Sequence, residues 1–292
     1  MQRRLALLLA GSLPVASAWS HHGPRAPGLP VRVPGPPYPV GALRFFQGEL
    51  LELALRKGGS EQGIELLSTQ TWPRQVRELR DGHADVAPLP ALDHVYAEFK
   101  LARVDFPLRR GLLGLRRLVC RADRLPQLDS VRSLSELQAL RLGYGAEWAD
   151  LPILQRLGFR IVTARSTEQL YAGLRNGEID YLSRGVNEVE AEMSRFGPAG
   201  APLALLPGLA LFYPLDDCFF VAPGRTELHR TLTEGLARAL RDGSYAALFE
   251  QHYSKALDDL AGVRVLELKG YPTPRGLSRQ RFDVLKLRKA SA

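Results

Sequence analysis

The chain contains two copies of one segment. Residues 79–85 read LRDGHAD, and residues 174–180 read LRNGEID. The match extends backwards without a gap, through Thr71 in the first copy and Ser166 in the second. Each copy has the pattern of an apolar strand, a helix that begins after Thr or Ser and ends at Gly, and a second strand. The repeat therefore predicts one β-α-β unit, and with it a parallel sheet, in each half of the chain.

Two such units predict an α/β protein with two Rossmann-like lobes, a hinge and a cleft, an arrangement suited to closing around a small molecule. Helix–Gly–strand segments are common in α/β proteins, so chance similarity is the alternative, but the ungapped register favours duplication. We expect the chain to leave lobe 1 near residue 111 and to return near residue 220. Lobe 1 would then comprise residues 38–111 and 222–270, and lobe 2 residues 112–221.

The N-terminus has the pattern of a secretory signal peptide over residues 1–18. Arg3 and Arg4 precede an apolar run at residues 5–15, and the sequence ASA at residues 16–18 provides a cleavage site. The apolar run is too short to span a bilayer of about 30 Å. The sequence therefore predicts a protein exported to the periplasm, with residues 19–37, rich in Pro, Gly and His, as a flexible lead-in.

The net charge of +8 is unevenly distributed. Much of it lies in Arg3, Arg4 and the basic stretch after residue 274, so the body of the chain is nearly neutral. No basic face rich in aromatic residues accompanies the charge, which argues against a nucleic-acid partner. We interpret residues 271–292 as a basic, solvated tail.

Cys120 and Cys218 are the two cysteines of the chain. Neither has a Cys or His neighbour at metal-ligand spacing, so we expect no metal site. In an oxidising compartment the two thiols could form one disulfide, since both are expected near the crossings between the lobes. Motifs for nucleophilic, metallopeptidase and nucleotide chemistry are absent from the sequence. We therefore expect neither an enzyme nor a cofactor.

The order of these segments resembles the periplasmic solute-binding proteins of family 3. The residues that carry the likeness are the helix that ends at Gly58 and Gly59, the Gly82-x-x-Asp85 strand, VDFP at residues 104–107 and GLARALRDGSYAALFEQHY at residues 235–253. The resemblance implies the type 2 periplasmic-binding fold and a monomer that delivers a small ligand to an ABC permease. A ligand-sensing role beside a membrane sensor is the alternative.

A closer likeness is to a stand-alone branch of these proteins that carries three further motifs. They are PLRRGLLGLR at residues 107–116, WAD at residues 148–150 and RGVNE at residues 184–188. In the amino-acid receptors, an Asp in lobe 2 binds the ligand ammonium, and here that position holds Arg184. The receptors' Arg for the ligand carboxylate corresponds here to Lys100, with Arg103 nearby. A cation repels an ammonium group, so the resemblance implies an anionic or carboxylate-bearing ligand.

The residues expected to bind the ligand lie in both lobes and at the crossing between them. They are Arg184, Lys100, Arg103, Trp72, Leu89, Arg116, Tyr144 and Trp148. Two alternatives stay open: Arg184 could be a surface residue paired with Glu188 or Glu190, and Trp148 could fill the core of lobe 2. Some enzymes with this fold catalyse dehydration with one acid and one Arg in the cleft. Glu147 and Arg184 could fill these two roles.

Overall fold

The structure is a computed structural model, and it describes residues 28–35, 45–68, 71–92, 96–198 and 200–287. The expected signal peptide, residues 1–18, lies outside the described residues, as does most of the expected lead-in. Residues 31–34 of that lead-in form a strand rather than a flexible segment. Within the described residues, no helix is long and apolar enough to cross a membrane.

Lobe 1 contains a parallel strand pair beside a three-stranded antiparallel sheet. The Asp85 N–H donates to the Arg32 carbonyl at 2.8 Å and so joins the pair to the sheet, giving the spatial order β2-β1-β3-β10-β4. The strands are β1 (Val31–Pro34), β2 (Ile64–Leu67), β3 (Val86–Pro90), β4 (Ala102–Arg103) and β10 (Asp217–Val221).

The helices of lobe 1 pack closely enough to require glycine. A Cβ atom on Gly235 would lie 1.9 Å from the carbonyl oxygen of Ala54, so α1 and α8 meet backbone to backbone at this point. Phe46 and Leu50 on α1 are buried in the core of this lobe. The helices are α1 (Phe46–Lys57), α2 (Trp72–Arg80), α8 (Thr226–Arg241) and α9 (Ser244–Asp258).

Lobe 2 contains a six-stranded mixed sheet in the order β11-β9-β5-β8-β6-β7. Its strands are β5 (Leu115–Arg121), β6 (Arg141–Gly145), β7 (Arg160–Ala164), β8 (Tyr181–Gly185), β9 (Leu203–Phe212) and β11 (Arg264–Glu267). Its helices are α3 (Leu125–Asp129), α4 (Leu134–Ala139), α5 (Leu151–Arg156), α6 (Thr167–Arg175) and α7 (Val189–Phe196).

The two sequence repeats form equivalent β-α-β units, β2-α2-β3 and β7-α6-β8. In the first unit, the Asp85 carboxylate accepts hydrogen bonds from the Arg32 backbone N–H at 2.9 Å and from the Arg32 guanidinium. In the second, Asp180 accepts the same bonds from Arg141, with the backbone bond at 2.8 Å. Each aspartate ties the start of a strand to a neighbouring strand, so both have a structural role, and the β-α-β unit predicted for each half of the chain is present.

The outward and return crossings between the lobes contact each other directly, and residues 259–263 cross once more, from α9 in lobe 1 to β11 in lobe 2. The Gly114 N–H donates to the Leu215 carbonyl at 2.9 Å, and the Tyr213 N–H donates to the Gly114 carbonyl at 3.1 Å. The outward crossing lies close to the expected residue 111. The return comes earlier than the expected residue 220, because β10 already pairs with β3 and β4 in lobe 1.

Three sequence-based expectations are wrong. Cys120 and Cys218 are buried free thiols, because they lie in different sheets, on β5 and β10. The strand near residue 265 belongs to lobe 2 rather than lobe 1, because β11 pairs in parallel with β9. The basic C-terminal segment is packed rather than solvated as far as residue 287, because it places apolar side chains such as Phe282 and Val284 in the core.

Candidate functional site

A cavity of about 210 Å³ lies where the two lobes and the outward and return crossings meet. Lobe 1 contributes Trp72 and Pro90, and the crossings contribute Leu113 and Leu215. Lobe 2 contributes the charged and aromatic side chains. They are Arg116, Tyr144, Glu147, Trp148, Asp150, Arg184 and Glu188, with Ala149 between them.

The topology of lobe 2 explains why these side chains meet. Tyr144 lies near the C-terminal end of β6 and Arg184 near that of β8, which run parallel. Ligands of open α/β sheets bind at this edge. The antiparallel strand β5 begins at the same edge, where Arg116 pairs with Gly185 and so lies beside Arg184. The WAD motif lies in the turn after β6, and the RGVNE motif covers the end of β8 and the turn after it. With PLRRGLLGLR, which ends at Arg116 on β5, all three motifs therefore reach one cavity.

Arg116 is a buried cation that has no carboxylate partner among the described residues. It is 5% exposed, and its Nε donates to the Tyr213 hydroxyl at 3.0 Å. Its guanidinium carbon lies 5.5 Å from the centre of the Tyr213 ring. Within the described part of the chain, no carboxylate oxygen lies within 4 Å of its nitrogens. A guanidinium is charged at every physiological pH, so this wall of the cavity carries a positive charge without a direct counter-ion.

Arg184 is equally buried but is paired. Its Nε and Nη2 donate to the two carboxylate oxygens of Glu192, at 2.6 and 2.5 Å. Nη2 also donates to Glu188 at 3.3 Å, and the guanidinium carbon lies 4.5 Å from the centre of the Trp148 ring. Arg184 therefore lines the cavity with much of its donor capacity used by its own chain. The Glu188 pair of the open alternative is present, but Arg184 is buried rather than a surface residue, and Glu190 pairs with Lys255 instead.

Two of the three carboxylates that line the cavity, Glu188 and Asp150, have different surroundings. Burial raises the pKa of Glu188, but the guanidinium groups of Arg184 and Arg116 outweigh it and hold this pKa below its usual value. Asp150 is 5% exposed and accepts hydrogen bonds from the hydroxyls of Tyr144 at 2.7 Å and Tyr271 at 3.3 Å. Neither oxygen of Asp150 has a cation within 4 Å among the described residues. Hydroxyl donors therefore satisfy this buried carboxylate.

Aromatic side chains form the walls between these charges. The rings of Tyr144 and Trp148 meet edge to face, with their centres 4.5 Å apart. Trp148 lies so close to Gly145 that a Cβ atom there would be 2.4 Å from the indole. A second cavity of about 340 Å³ shares Trp72, Glu147 and Trp148 with the first and extends to Ser166 at the start of α6. Trp148 therefore contacts the cleft directly rather than filling only the core.

Five of the eight predicted ligand-binding residues line the cavity, namely Arg184, Trp72, Arg116, Tyr144 and Trp148. The structure does not bring the other three there. Lys100 is exposed, after a short 3₁₀ turn. Arg103 donates to Asp105 and to the Arg275 carbonyl, and Leu89 is buried within β3 beside Cys218, where Pro90 lines the cavity instead. The predicted list omitted Asp150 and Glu188, although both end motifs that the sequence displays.

The fold matches that of solved type 2 periplasmic-binding proteins. A double mutant of the VFT2 domain of BvgS from Bordetella pertussis is 22% identical, with a TM-score of 0.58, over 77% of this chain and 93% of that domain. An ancestral arginine-binding protein bound to arginine is 16% identical, with a TM-score of 0.57, over 77% and 98% of the two chains.

A third match is the ligand-binding core of GluR0 from Nostoc punctiforme in complex with L-glutamate. It is 12% identical, with a TM-score of 0.53, over 77% of this chain and 99% of that one. No protein-family model matches the sequence, and no curated protein does. The predicted fold class is therefore confirmed by structural likeness, which at these identities concerns the fold alone.

Proposed function

We propose that this protein binds a small, carboxylate-bearing solute in the cavity between its lobes and closes around it. The observation that carries the proposal is Arg116, a buried guanidinium that faces the cavity and has no carboxylate partner in the described part of the chain. Glu188 and Asp150 attract this charge without contacting it, so a ligand anion that contacts Arg116 directly adds hydrogen bonds that the described residues do not supply. A planar carboxylate can accept two parallel bonds from a guanidinium.

The size of the cavity limits the solute. At about 210 Å³ it is smaller than the ~300–1,000 Å³ of sites that hold drug-sized ligands. The adjoining cavity at the start of α6 gives room for a polar extension, past the shared wall of Trp72 and Trp148. We therefore infer a compact organic acid whose carboxylate contacts Arg116 and whose remaining atoms pack against aromatic rings.

The fold adds support, since the ancestral protein and the GluR0 core hold arginine and L-glutamate, each of which carries a carboxylate. The secretory pattern of residues 1–18 supports a periplasmic location. We propose that the loaded form delivers its solute to an ABC permease. The alternative partner is a membrane sensor that reads the closed form of the protein. Uptake of the identified solute by a strain that lacks this protein separates the two: lost uptake favours import, and retained uptake favours sensing.

A thermal-shift screen tests the proposed ligand class. Small carboxylic acids are each compared with their primary amide, which keeps the shape and removes the charge, and polyamines form a third group. A ligand that binds the native state alone raises the melting temperature, by an amount that grows with the logarithm of its concentration relative to Kd. We expect stabilisation by at least one carboxylate and not by its amide. A polyamine or an amide as the best ligand would show that the proposal is wrong.

A further inference from the structure

The C-terminal segment, residues 268–287, begins at lobe 2 and contacts the wall of the cavity. The Leu268 N–H donates to the carbonyl of Phe212 at the end of β9, at 2.7 Å. Tyr271 then donates its hydroxyl to Asp150 at 3.3 Å. The ring of Tyr271 also stacks on Tyr213 in the return crossing, with ring centres 4.5 Å apart and an interplanar angle of 30°.

The same segment ends on lobe 1 and the outward crossing. Arg110 donates from Nε and Nη2 to the two carboxylate oxygens of Asp283, at 2.8 and 2.5 Å, and its carbonyl accepts from the Val284 N–H at 3.1 Å. The guanidinium of Arg281 lies 5.5 Å from the centre of the Phe106 ring, which itself packs edge to face on Tyr245 of α9. These contacts attach the end of the segment to lobe 1.

The segment is packed along its length rather than only at its ends. Tyr271, Leu277, Phe282 and Val284 are each at most 6% exposed. Phe282 lies against Gly111 in the outward crossing, where a Cβ atom would approach its ring to 3.1 Å. Because buried apolar contacts run from one lobe to the other, relative motion of the lobes must break contacts on at least one side.

We propose that residues 268–287, the C-terminal strap, are a further connection between the lobes, beyond the crossings that precede them in the chain, and that they limit how far the cleft opens. Tyr271 is its positioning residue at the cavity, since it holds Asp150 from the side opposite Tyr144. This proposal rests on the proposed solute-binding function, because opening of the cleft has a role only if a solute binds there. The strap itself can be tested without any solute, so the two proposals fail separately.

The Arg110–Asp283 pair is suited to act as a releasable attachment. Both side chains are about one quarter exposed, at 25% and 24%, so salt screens the pair more than it would a buried one. Arg110 also has a left-handed backbone, with φ of 58°, which Asp tolerates better than most residues. An exchange of the two charges is therefore compatible with the backbone at both positions.

The experiment measures the distance between spin labels on the two lobes, at Gln155→Cys on α5 and Thr233→Cys on α8. Both positions are exposed, whereas native Cys120 and Cys218 are buried. We expect Tyr271→Phe and Asp283→Asn each to lengthen the mean distance and broaden its distribution. The exchange Arg110→Asp with Asp283→Arg should restore the parent distribution, and Arg279→Gln, which removes an exposed pair with Glu267, should leave it unchanged.

The parent protein gives a second measurement that needs no strap variant. At about 1 M salt the Debye length falls to about 3 Å, so the parent distribution should move toward that of Asp283→Asn, while Asp283→Asn itself should respond less. Identical distributions for the parent and both single variants, or no effect of salt on the parent, would overturn the proposal.

Discussion

Arg184 and Glu192 form a two-point ion pair inside lobe 2, with side chains 6% and 12% exposed. The pair joins the end of β8 to α7 and holds the guanidinium over Trp148. Arg184 therefore has a structural partner of its own, and the residue that most needs a ligand anion is Arg116. Because of this pairing, substitution of Arg184 should lower the stability of the protein.

We expect Arg184→Ala to lower the free energy of unfolding by about 3–5 kcal/mol, because it leaves the carboxylate of Glu192 buried without its cation. The double variant Arg184→Met with Glu192→Leu should recover part of this loss, since it removes both charges. Denaturant unfolding followed by circular dichroism measures both. An Arg184→Ala protein as stable as the parent would show that the pair is not formed.

Close packing of α1 on α8 should make Gly235 intolerant of any side chain. Gly235→Ala places a Cβ atom 1.9 Å from the carbonyl of Ala54, and overpacking of this kind costs about 1–3 kcal/mol or more. That loss should exceed the gain of about 1 kcal/mol from replacing Gly by Ala within a helix. Gly63→Ala is the matched control, because a Cβ atom added at Gly63 would have no neighbour within 4 Å among the described residues. Equal melting temperatures for the two variants would contradict the predicted helix contact.

The repeated aspartates should contribute to acid denaturation. Hydrogen bonds from Arg141 hold the pKa of Asp180 below its usual value, even though burial raises it. A carboxylate with a lowered pKa stabilises the native state above its unfolded pKa, here near 3.8, and this stability is lost as pH falls through the folded pKa. Asp180→Asn should therefore flatten the fall in the free energy of unfolding below about pH 4. An unchanged slope would contradict the assignment.

The two cysteines should remain thiols. Burial raises the pKa of Cys120 to about 11 and that of Cys218 well above its usual value, so both are poor nucleophiles in the native state. A thiol reagent applied to unreduced protein should label neither residue when it is folded and both after unfolding. A mass that is two protons lower, with no labelling after unfolding, would indicate the disulfide that the structure lacks.

The sequence pattern alone predicted the repeat and many of the residues that line the cavity. The equivalent bonds of Asp85 and Asp180 follow from a duplicated β-α-β unit, and the motifs around Trp148 and Arg184 lie at strand ends, where ligands of this fold class bind. The partner of Arg184 was not predictable in the same way. Glu192 lies on the following helix, and only the packing of α7 on β8 brings the two charges together.

Two residues assigned to the ligand by analogy with related receptors, Lys100 and Arg103, do not line the cavity. Arg103 is the last residue of β4, and its guanidinium is held by Asp105 and by the C-terminal segment. The charge count of that segment suggested a solvated tail, because its basic residues outnumber Leu277, Phe282 and Val284. Phe282 and Val284 alternate with charged residues over a run too short to predict burial, which depends here on long-range contacts that a local pattern does not contain.

The most direct test of the claim that Arg116 binds the carboxylate of the solute is calorimetric titration of Arg116→Gln. The titrant is the carboxylate that stabilises the parent most. Arg117→Gln is the matched control, because Arg117 is the next residue on β5 and does not line the cavity. Loss of one member of a buried charge pair costs about 2–5 kcal/mol, so Arg116→Gln should weaken binding about 30-fold or more, while Arg117→Gln should bind as the parent does. Equal affinities of Arg116→Gln and the parent would contradict the central claim.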